Sequence, residues 1–206
     1  MSGAKISTDA FFQAVKTRRT IYNLNKTLPI SASRIQHLLG ETMLHTPSSF
    51  NSQSTRALLL FGDEHDKLWT ITNRTLRAML PDDKIAGTEE RILGFQRAAG
   101  TILFFTDEAA VSALQAKMPM YADRFPPWAE QSNAMHQQTM WTALELEGLG
   151  ANLQHYNPLI DAEVAKTWGL PESWKLNAQL VFGGKGGEPA EKTFEPLESR
   201  IKVFGA

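Results

Sequence analysis

A long helical pattern that is apolar around much of its circumference is the feature that most constrains how this chain folds. It covers "WAEQSNAMHQQTMWTALELEG", residues 128–148, and Gly148 supplies a stop at its C-terminal end. Its apolar members are Met135, Met140, Trp141, Ala143, Leu144 and Leu146. Because a helix with apolar side chains on several sides must be covered on several sides, the sequence predicts a central helix.

Three short apolar runs predict buried strands. They are "RALLLF" (56–61), "TILFFT" (101–106) and "AQLVFG" (178–183). Each is short, continuous and bounded by glycine or polar residues, as is typical of strands buried on both faces. A fourth segment, "RIKVF" (200–204), alternates between polar and apolar residues and predicts a C-terminal strand.

Three further helical patterns accompany these runs. The first follows Thr8 as a possible N-cap and stops near Arg18 and Arg19. The second begins behind a cap at Ser31 or Ser33. The third has an apolar stripe made of Leu68, Ile71, Thr75, Leu76 and Met79. The chain is therefore predicted to be rich in helices, with a few short strands.

Composition excludes several classes of function. At 206 residues the chain suits a single domain, 1–206, with one full core. A net charge of -1 argues against a nucleic-acid partner. The absence of cysteine excludes disulfides, thiolate catalysis and thiolate metal sites, so any redox chemistry must come from a bound cofactor. Because the first residues lack a signal-peptide pattern and no run is long enough to span a membrane, we expect a cytosolic protein.

Several familiar catalytic patterns are missing from the sequence. "FGGKGG" lacks the spacing of a phosphate-binding loop, and Glu145 and Glu147 fall on divergent faces of one helix. The histidines have no metal-ligand spacing; they are His37, His45, His65, His136 and His155. The sequence therefore predicts neither a metal site nor a catalytic side chain.

Two polar clusters remain, and each has a plain structural alternative. In "TRRT", Arg18 and Arg19 could bind a phosphate through paired charged hydrogen bonds, or could simply favour the C-terminal dipole of a helix. "HTPSSFNSQST" (45–55) holds more small polar residues than a turn requires, although loops are commonly rich in these residues. Taken alone, neither cluster identifies a binding site.

Together, the two clusters resemble those of the nitroreductase family of flavoproteins. In that family an RRS or RRT element precedes a PSSxNxQ loop by roughly this interval. "MWTALELEGLGANLQHYNP" and "LPESWKLNAQLVFG" further resemble a small fungal and bacterial subfamily that includes the yeast fatty-acid-repression nitroreductase. Four motifs in the right order span nearly the whole chain.

The resemblance implies an α+β fold, with a central, mostly antiparallel sheet surrounded by helices. It also implies a long central helix and a homodimer, with the C-terminal strand exchanged between subunits. FMN would be bound at two equivalent sites in the dimer interface. No nucleic acid, membrane or metal is expected as a partner.

The resemblance also assigns residues to the FMN site. Near the phosphate and pyrimidine side it places Arg18, Arg19 and Thr20 of one subunit. From the other subunit the loop residues Pro47, Ser48, Ser49 and Asn51 would reach the flavin, with Gln53 supporting the loop. Gln154, His155 and Tyr156 would pass one face of the isoalloxazine ring. Arg200 matches a phosphate-binding arginine, but Glu198 stands where many relatives carry lysine, so Lys185 or Lys192 could substitute.

The activity implied by the resemblance is a ping-pong transfer of electrons from NAD(P)H to nitroaromatics or quinones. The flavin would carry the chemistry, which agrees with the absence of a catalytic side chain. Tyr156, Phe125 and Trp128 are candidates for the substrate side, although each could equally be core or interface packing. Two alternatives stay open at this point: a flavin-binding regulatory protein in lipid or oxidative-stress signalling, and a helical interaction domain without a cofactor.

Overall fold

The structure is a computed structural model that describes residues 7–205, and it consists of a five-stranded antiparallel sheet with helices on both faces. The helices are α1 (Thr8–Thr17), α2 (Ala32–His45), α3 (Gly62–Arg77), α4 (Asp82–Gln96), α5 (Glu108–Lys117), α6 (Phe125–Leu146), α7 (Asp161–Trp168) and α8 (Leu197–Arg200). The strands are β1 (Leu24–Asn25), β2 (Thr55–Phe61), β3 (Gly100–Asp107), β4 (Leu149–Gln154) and β5 (Trp174–Lys185). Short 3₁₀ turns cover Ser49–Asn51 and Pro119–Arg124.

Strand β5 is the centre of the sheet. It pairs with β3 and with β4, and its last residues pair with β1, while β2 adds to the far side of β3. Each pairing is antiparallel, with Leu58 opposite Leu103 and Ile102 opposite Leu180. This confirms the α+β fold with a central antiparallel sheet.

Alternate side chains of the strands enter two separate cores. Leu103, Phe105 and Val181 point into a core covered by α3, α4 and α7. Ile102 and Phe104 point to the other face, where they join the core that contains α6. Two buried faces explain why the strands read as continuous apolar runs instead of alternating ones.

Helix α6 is the central helix that the sequence predicts. Met140 and Leu144 on α6 are fully buried against the sheet and α2. Its end is followed by Gly148, whose φ of 85° lies in the left-handed region where glycine is favoured. The same helix contacts α1, α5 and the 3₁₀ turn at Ser49–Asn51, so it connects distant parts of the chain.

The glycine-rich "FGGKGG" segment has a packing role at the end of β5. A Cβ atom on Gly183 would lie 2.4 Å from the carbonyl oxygen of Asn25, and one on Gly184 would lie 2.4 Å from Asn25 Oδ1. Only glycine permits the backbone near Asn25 to approach this closely.

Of the helix caps predicted for α1 and α2, the first differs from the structure and the second does not. The N-cap of α1 is Ser7, whose hydroxyl accepts from the Ala10 amide, and not Thr8. The Ser31 cap of α2 is confirmed, since its hydroxyl accepts from the Arg34 amide.

The strand predicted at 200–204 is wrong for the single chain. Residues 201–205 follow α8 without pairing to a strand, and Ile201, Val203 and Phe204 are exposed. The alternating pattern is real, but the apolar side chains have no core to enter within one chain. Exchange of this segment in a homodimer stays a prediction.

Within the described residues, no helix combines the length and the apolar character that crossing a membrane requires.

Candidate functional site

A basic group forms where the end of α1 meets α6 and the end of β5. It consists of Arg18, Arg19, Thr20 and Lys185. The Arg18 guanidinium lies 4.4 Å from the centre of the Trp141 ring on α6, a cation–π contact. Thr20 forms a bridge with Ala151 of β4, and the amide of Ile21 donates to the Ala151 carbonyl at 2.9 Å. The "TRRT" segment is therefore fixed to both the sheet and α6.

A buried carboxylate compensates part of this positive charge. Glu145, only 5% exposed, accepts from Lys185 Nζ at 2.7 Å. Burial lowers the pKa of Arg18, while the nearby Glu145 carboxylate raises it, and the guanidinium stays charged. A buried carboxylate is tolerated when a cation pairs with it. Because Glu145 lies on α6, this ion pair links the end of β5 to that helix.

Three buried polar atoms in and beside this group have no hydrogen-bond partner within residues 7–205. They are Arg18 Nε, Trp141 Nε1 and Glu145 Oε2. Such atoms are rare because each carries a desolvation cost, and a cluster of them marks a place where a polar ligand could supply the missing hydrogen bonds.

The remaining basic candidates lie on the C-terminal segment. Arg19 Nη2 donates to the Ala190 carbonyl, so this segment runs beside the basic group. Lys192 packs over the ring of Phe194, with Nζ 5.1 Å from the ring centre. Arg200 lies at the exposed end of α8 and forms no ion pair with another described residue.

The second polar feature is the loop at 47–53, called here the polar loop. Ser48 Oγ accepts from the Gln53 amide at 3.0 Å, and the Asn51 amide donates to the Ser48 carbonyl at 2.9 Å. Phe50, Asn51 and Gln53 all have positive φ, at 55°, 50° and 48°. Three such residues without glycine are unusual, and strain of this kind is common at functional sites.

Several side chains of the polar loop are available to a ligand. Pro47, Asn51 and Gln53 are exposed, and Ser48 and Ser49 are half-buried. The Asn51 and Gln53 side-chain amides and the Ser49 hydroxyl make no hydrogen bond within the described part of the chain. The backbone carbonyl of Gln53 accepts from Arg56 Nη1.

A pocket of about 500 Å³ opens beside the polar loop. Its lining residues are Met43, Leu44, Thr46, Ser48, Asn51, Ser52, Gln53, Thr55, Arg56 and His136. Arg56 is held in place by Asp107, with Nη2 2.8 Å from Oδ2. The polar loop therefore forms one wall of a cavity that also presents a cation.

The basic group and the polar loop attach to different parts of α6. The basic group meets Trp141, whereas the Ser49 amide donates to Ser132 Oγ at 3.3 Å. These two helix positions are nine residues apart, which corresponds to roughly 13 Å along the axis. A single chain thus presents two separate polar features along one helix.

Strand β4 ends beside a second pocket, of about 530 Å³. Gln154 lines it with Tyr22, Arg91, Gly94 and Phe95, and the Gln154 side chain donates to Asn152 Oδ1 at 2.8 Å. His155, the next residue, is exposed. Sequence reasoning did not single out Arg91, because α4 was not predicted and a lone arginine on a helix carries no signal of its own. It did not single out Tyr22, which lies outside every predicted helix and strand.

Tyr156, predicted to face the flavin or its substrate, packs into the core. Its ring centre lies 5.8 Å from that of Trp69 and 6.3 Å from that of Phe95. Burial raises the pKa of its hydroxyl, and the charge of Arg91 opposes this shift. The structure therefore separates Tyr156 from its neighbours Gln154 and His155, which face the pocket and the solvent.

The other two substrate-side candidates belong to one aromatic cluster. Phe125 is buried and Trp128 is half-buried, and their ring centres are 5.5 Å apart. Phe50 of the polar loop and Tyr121 complete the cluster. The aromatic side chains at the start of α6 are thus continuous with the polar loop.

The buried histidines take part in core hydrogen bonds. His65 Nδ1 lies 2.9 Å from Thr101 Oγ1, and His136 Nδ1 lies 2.7 Å from the Ser132 carbonyl. Burial lowers the pKa of both imidazoles. Over residues 7–205, no three His, Asp or Glu side chains come together as a metal site.

Comparisons with known proteins show which chains this one is similar to. FRM2, a nitroreductase of Saccharomyces cerevisiae, is 36% identical over 199 residues, which covers 96% of this chain and 98% of FRM2. The nitroreductase CinD of Lactococcus lactis, solved with chloramphenicol, superposes with a TM-score of 0.88 at 45% identity, over 95% of this chain and all of CinD.

A third comparison extends to a more distant protein. A nitroreductase with bound FMN from Desulfitobacterium hafniense is 16% identical, over 94% of this chain and 97% of that one, with a TM-score of 0.68, which shows a shared fold. The model of the nitroreductase family matches residues 15–184, most of the chain. The protein therefore belongs to the nitroreductase family.

Proposed function

We propose that this protein is an FMN-dependent oxidoreductase that passes electrons from NAD(P)H to nitroaromatics or quinones by a ping-pong mechanism. One observation carries the proposal. Helix α6 contacts a polar loop whose small donors and acceptors are unbonded and a basic group beside which three buried polar atoms lack a partner, both within residues 7–205. A phosphorylated ligand that is also rich in hydrogen-bonding groups fits both features.

FMN has the chemistry that these residues could satisfy. Its phosphate suits Arg18, Arg19 and Thr20, because each guanidinium can form two charged hydrogen bonds. Its ribityl hydroxyls and pyrimidine edge suit Ser48, Ser49 and Asn51, whose short side chains donate and accept. Bound FMN in the Desulfitobacterium hafniense relative supports the same cofactor here.

The sides of the flavin can be assigned in outline. Gln154 and His155 are proposed to pass one face of the isoalloxazine ring, with Pro47 and Gln53 shaping the polar loop. Tyr156 would support this segment from the core, since its ring is already packed.

One ion pair helps to choose among the basic residues that could contact the FMN phosphate. Lys185 is already engaged by Glu145, so we propose that it holds the basic group together and contributes its charge at a distance. Arg19 and Arg200 are then stronger candidates for direct contact with the phosphate.

A second copy of the chain would complete each site. No side chain of α1 is fully buried, and Phe11 and Phe12 on it are more than half exposed, as is Phe204 near the C-terminus. Exposed apolar surface of this kind favours a homodimer, and C2 symmetry would repeat the site twice. Light scattering of the flavin-loaded protein should give twice the chain mass, and a flavin-loaded monomer would contradict the dimer.

The protein's contribution to the reaction is to bind, orient and exclude water. When bound, FMN would supply the redox chemistry, because its ring can accept a hydride from NAD(P)H and pass electrons to the acceptor. Arg18 or Arg19, whichever lies nearer the pyrimidine edge, would stabilise negative charge there. Trp128 and Tyr121, both partly exposed, would offer ring faces to an aromatic acceptor. CinD was solved with 4-nitrophenol, which supports nitroaromatics as acceptors.

Anaerobic titration of the purified protein tests this function. We expect the protein to carry the visible absorbance of oxidised flavin, to bleach on adding NADH or NADPH, and to recover colour on adding a nitroaromatic or quinone. Free FMN at equal concentration is the control. A colourless protein that binds no added FMN would contradict the proposal, as would turnover no faster than that of free FMN. Slow turnover with tight FMN binding would favour the regulatory alternative. The cytosolic location stays a prediction.

A further inference from the structure

Phe50 adopts a backbone conformation that its side chain disfavours. Its φ of 55° and ψ of 25° lie in the left-handed region, and Asn51 follows with φ 50°. Asn is a common choice for such a turn, as is Gly, but a bulky aromatic residue there is an outlier. A glycine would adopt this conformation without strain. The contacts of the aromatic ring must therefore stabilise the turn.

The ring of Phe50 is anchored to the beginning of α6. Its centre lies 5.6 Å from that of Phe125 in an edge-to-face contact, 5.8 Å from that of Trp128 and 6.4 Å from that of Tyr121. Separations and angles of this kind are favourable between aromatic rings. These contacts offset the backbone strain, even though Phe50 is 57% exposed.

A hydrogen-bond chain ties the neighbouring residue to the same turn of α6. The Ser49 amide donates to Ser132 Oγ at 3.3 Å, and Ser132 Oγ donates to the Trp128 carbonyl at 2.8 Å. The polar loop therefore meets α6 at Trp128 through the ring of Phe50 and at Ser132 through the amide of Ser49.

These two attachments fix the direction of the remaining loop side chains. Asn51, Ser48 and Gln53 line the 500 Å³ pocket, whereas Phe50 lies outside it and faces the aromatic cluster. Turning the Phe50 ring away from α6 would release the backbone at 50 and 51, and the polar side chains would lose their common orientation.

We propose that Phe50 is a positioning residue whose ring, clasped by Phe125 and Trp128, holds Ser49 and Asn51 in the orientation that binds the cofactor. This inference rests on the proposed function, since it takes FMN as the ligand of the polar loop. Phe50 itself need not touch the cofactor.

Titration of flavin-free variants with FMN, followed by flavin fluorescence, tests the proposal. Phe50→Ala should weaken FMN binding about tenfold or more, while the melting temperature changes little because the ring is largely exposed. Phe50→Gly should be at least as weak, since relief of strain does not replace the ring. Phe50→Tyr should restore near wild-type affinity. Met120→Ala, at a more exposed apolar residue of the same 3₁₀ turn as Tyr121, is the control and should bind normally.

A double-mutant cycle shows whether Phe50 acts through α6. If the clasp is the mechanism, Phe50→Ala and Trp128→Ala together should weaken binding little more than either alone. If the fold-loss of FMN affinity in the double variant equals the product of the two single losses, Phe50 does not act through Trp128 and the proposal is overturned. Should Phe50→Ala lose its far-UV circular dichroism, the comparison of Phe50→Leu with Phe50→Tyr decides, with only Tyr expected to bind normally.

The outcomes separate this inference from the proposed function. If the wild-type protein binds no FMN, the proposed function fails. A different result refutes only the positioning role of Phe50. In that result the wild type binds FMN, Asn51→Ala weakens FMN binding, and Phe50→Ala has wild-type affinity for FMN.

Discussion

Removing the cation that pairs with Glu145 should destabilise the fold. The Glu145 side chain is 3% exposed and receives Lys185 Nζ at 2.7 Å, so Lys185→Met would leave a buried carboxylate without the cation that is hydrogen-bonded to it. Breaking such a pair costs about 3 to 5 kcal/mol. Because the Lys185 side chain is 37% exposed, we expect the lower end, about 3 kcal/mol. For a chain of this size that loss lowers the melting temperature by roughly 6–12 °C.

Thermal and urea unfolding of the flavin-free protein at one fixed concentration measure this effect. Lys67→Met is the matched control, because Lys67 pairs with Glu64 at the surface, where both side chains are about half exposed. It should cost less than about 1 kcal/mol. Combining Lys185→Met with Glu145→Leu should recover most of the loss, since the carboxylate that lost its hydrogen-bonded cation is then removed as well. If Lys185→Met were no more destabilising than Lys67→Met, the buried pair would not have the role assigned to it.

Two further predictions concern charge. Arg18→Ala or Arg19→Ala should weaken FMN binding about tenfold or more, because a charged hydrogen bond contributes about 1.5–3 kcal/mol and each 1.4 kcal/mol is a factor of ten. Fluorescence titration measures this, and wild-type affinity in both variants would refute the phosphate assignment. Burial holds the pKa values of His65 and His136 below the ordinary 6.5. As the pH falls, these residues therefore take up protons in the unfolded chain before they do so in the folded protein. The free energy of unfolding should therefore fall as pH drops below about 6.5, and less so when either residue is replaced by Gln; urea unfolding at several pH values checks this, and an unchanged pH dependence in both variants would contradict it.

Hydropathy predicted the elements whose buried side chains are apolar. Strands β2, β3 and β5 and helix α6 were found because they bury leucine, phenylalanine and methionine. Strand β4 was missed because it buries polar residues: Asn152 is fully buried and its amide donates to the Ile21 carbonyl at 2.9 Å. A hydrogen bond to a distant segment satisfies that side chain, and no local pattern in the sequence reports it.

The candidate site was predicted through motifs, and its internal contacts were not. The polar loop and "TRRT" were recognised, but the pairing of Lys185 with Glu145 joins residues 40 positions apart and leaves no periodic signal. Helix α4 was missed because only Ile92 and Phe95 on it are fully buried, and Arg91 was missed with it. Phe50 occupies the variable position of the loop motif, so its packing on α6 emerged only from the folded chain.

The flavin content of a mixed dimer tests the central claim, that each cofactor site takes its basic group from one chain and its polar loop from the other. One chain carries Ser49→Ala and Asn51→Ala, and its partner carries Arg19→Ala. If the sites are shared, both lesions fall in one site and the other stays intact, so the heterodimer should hold about half the flavin of the wild type. If each site uses the loop and the arginines of a single chain, both sites carry one lesion. No site of wild-type affinity would then appear in the titration, and the account would be wrong.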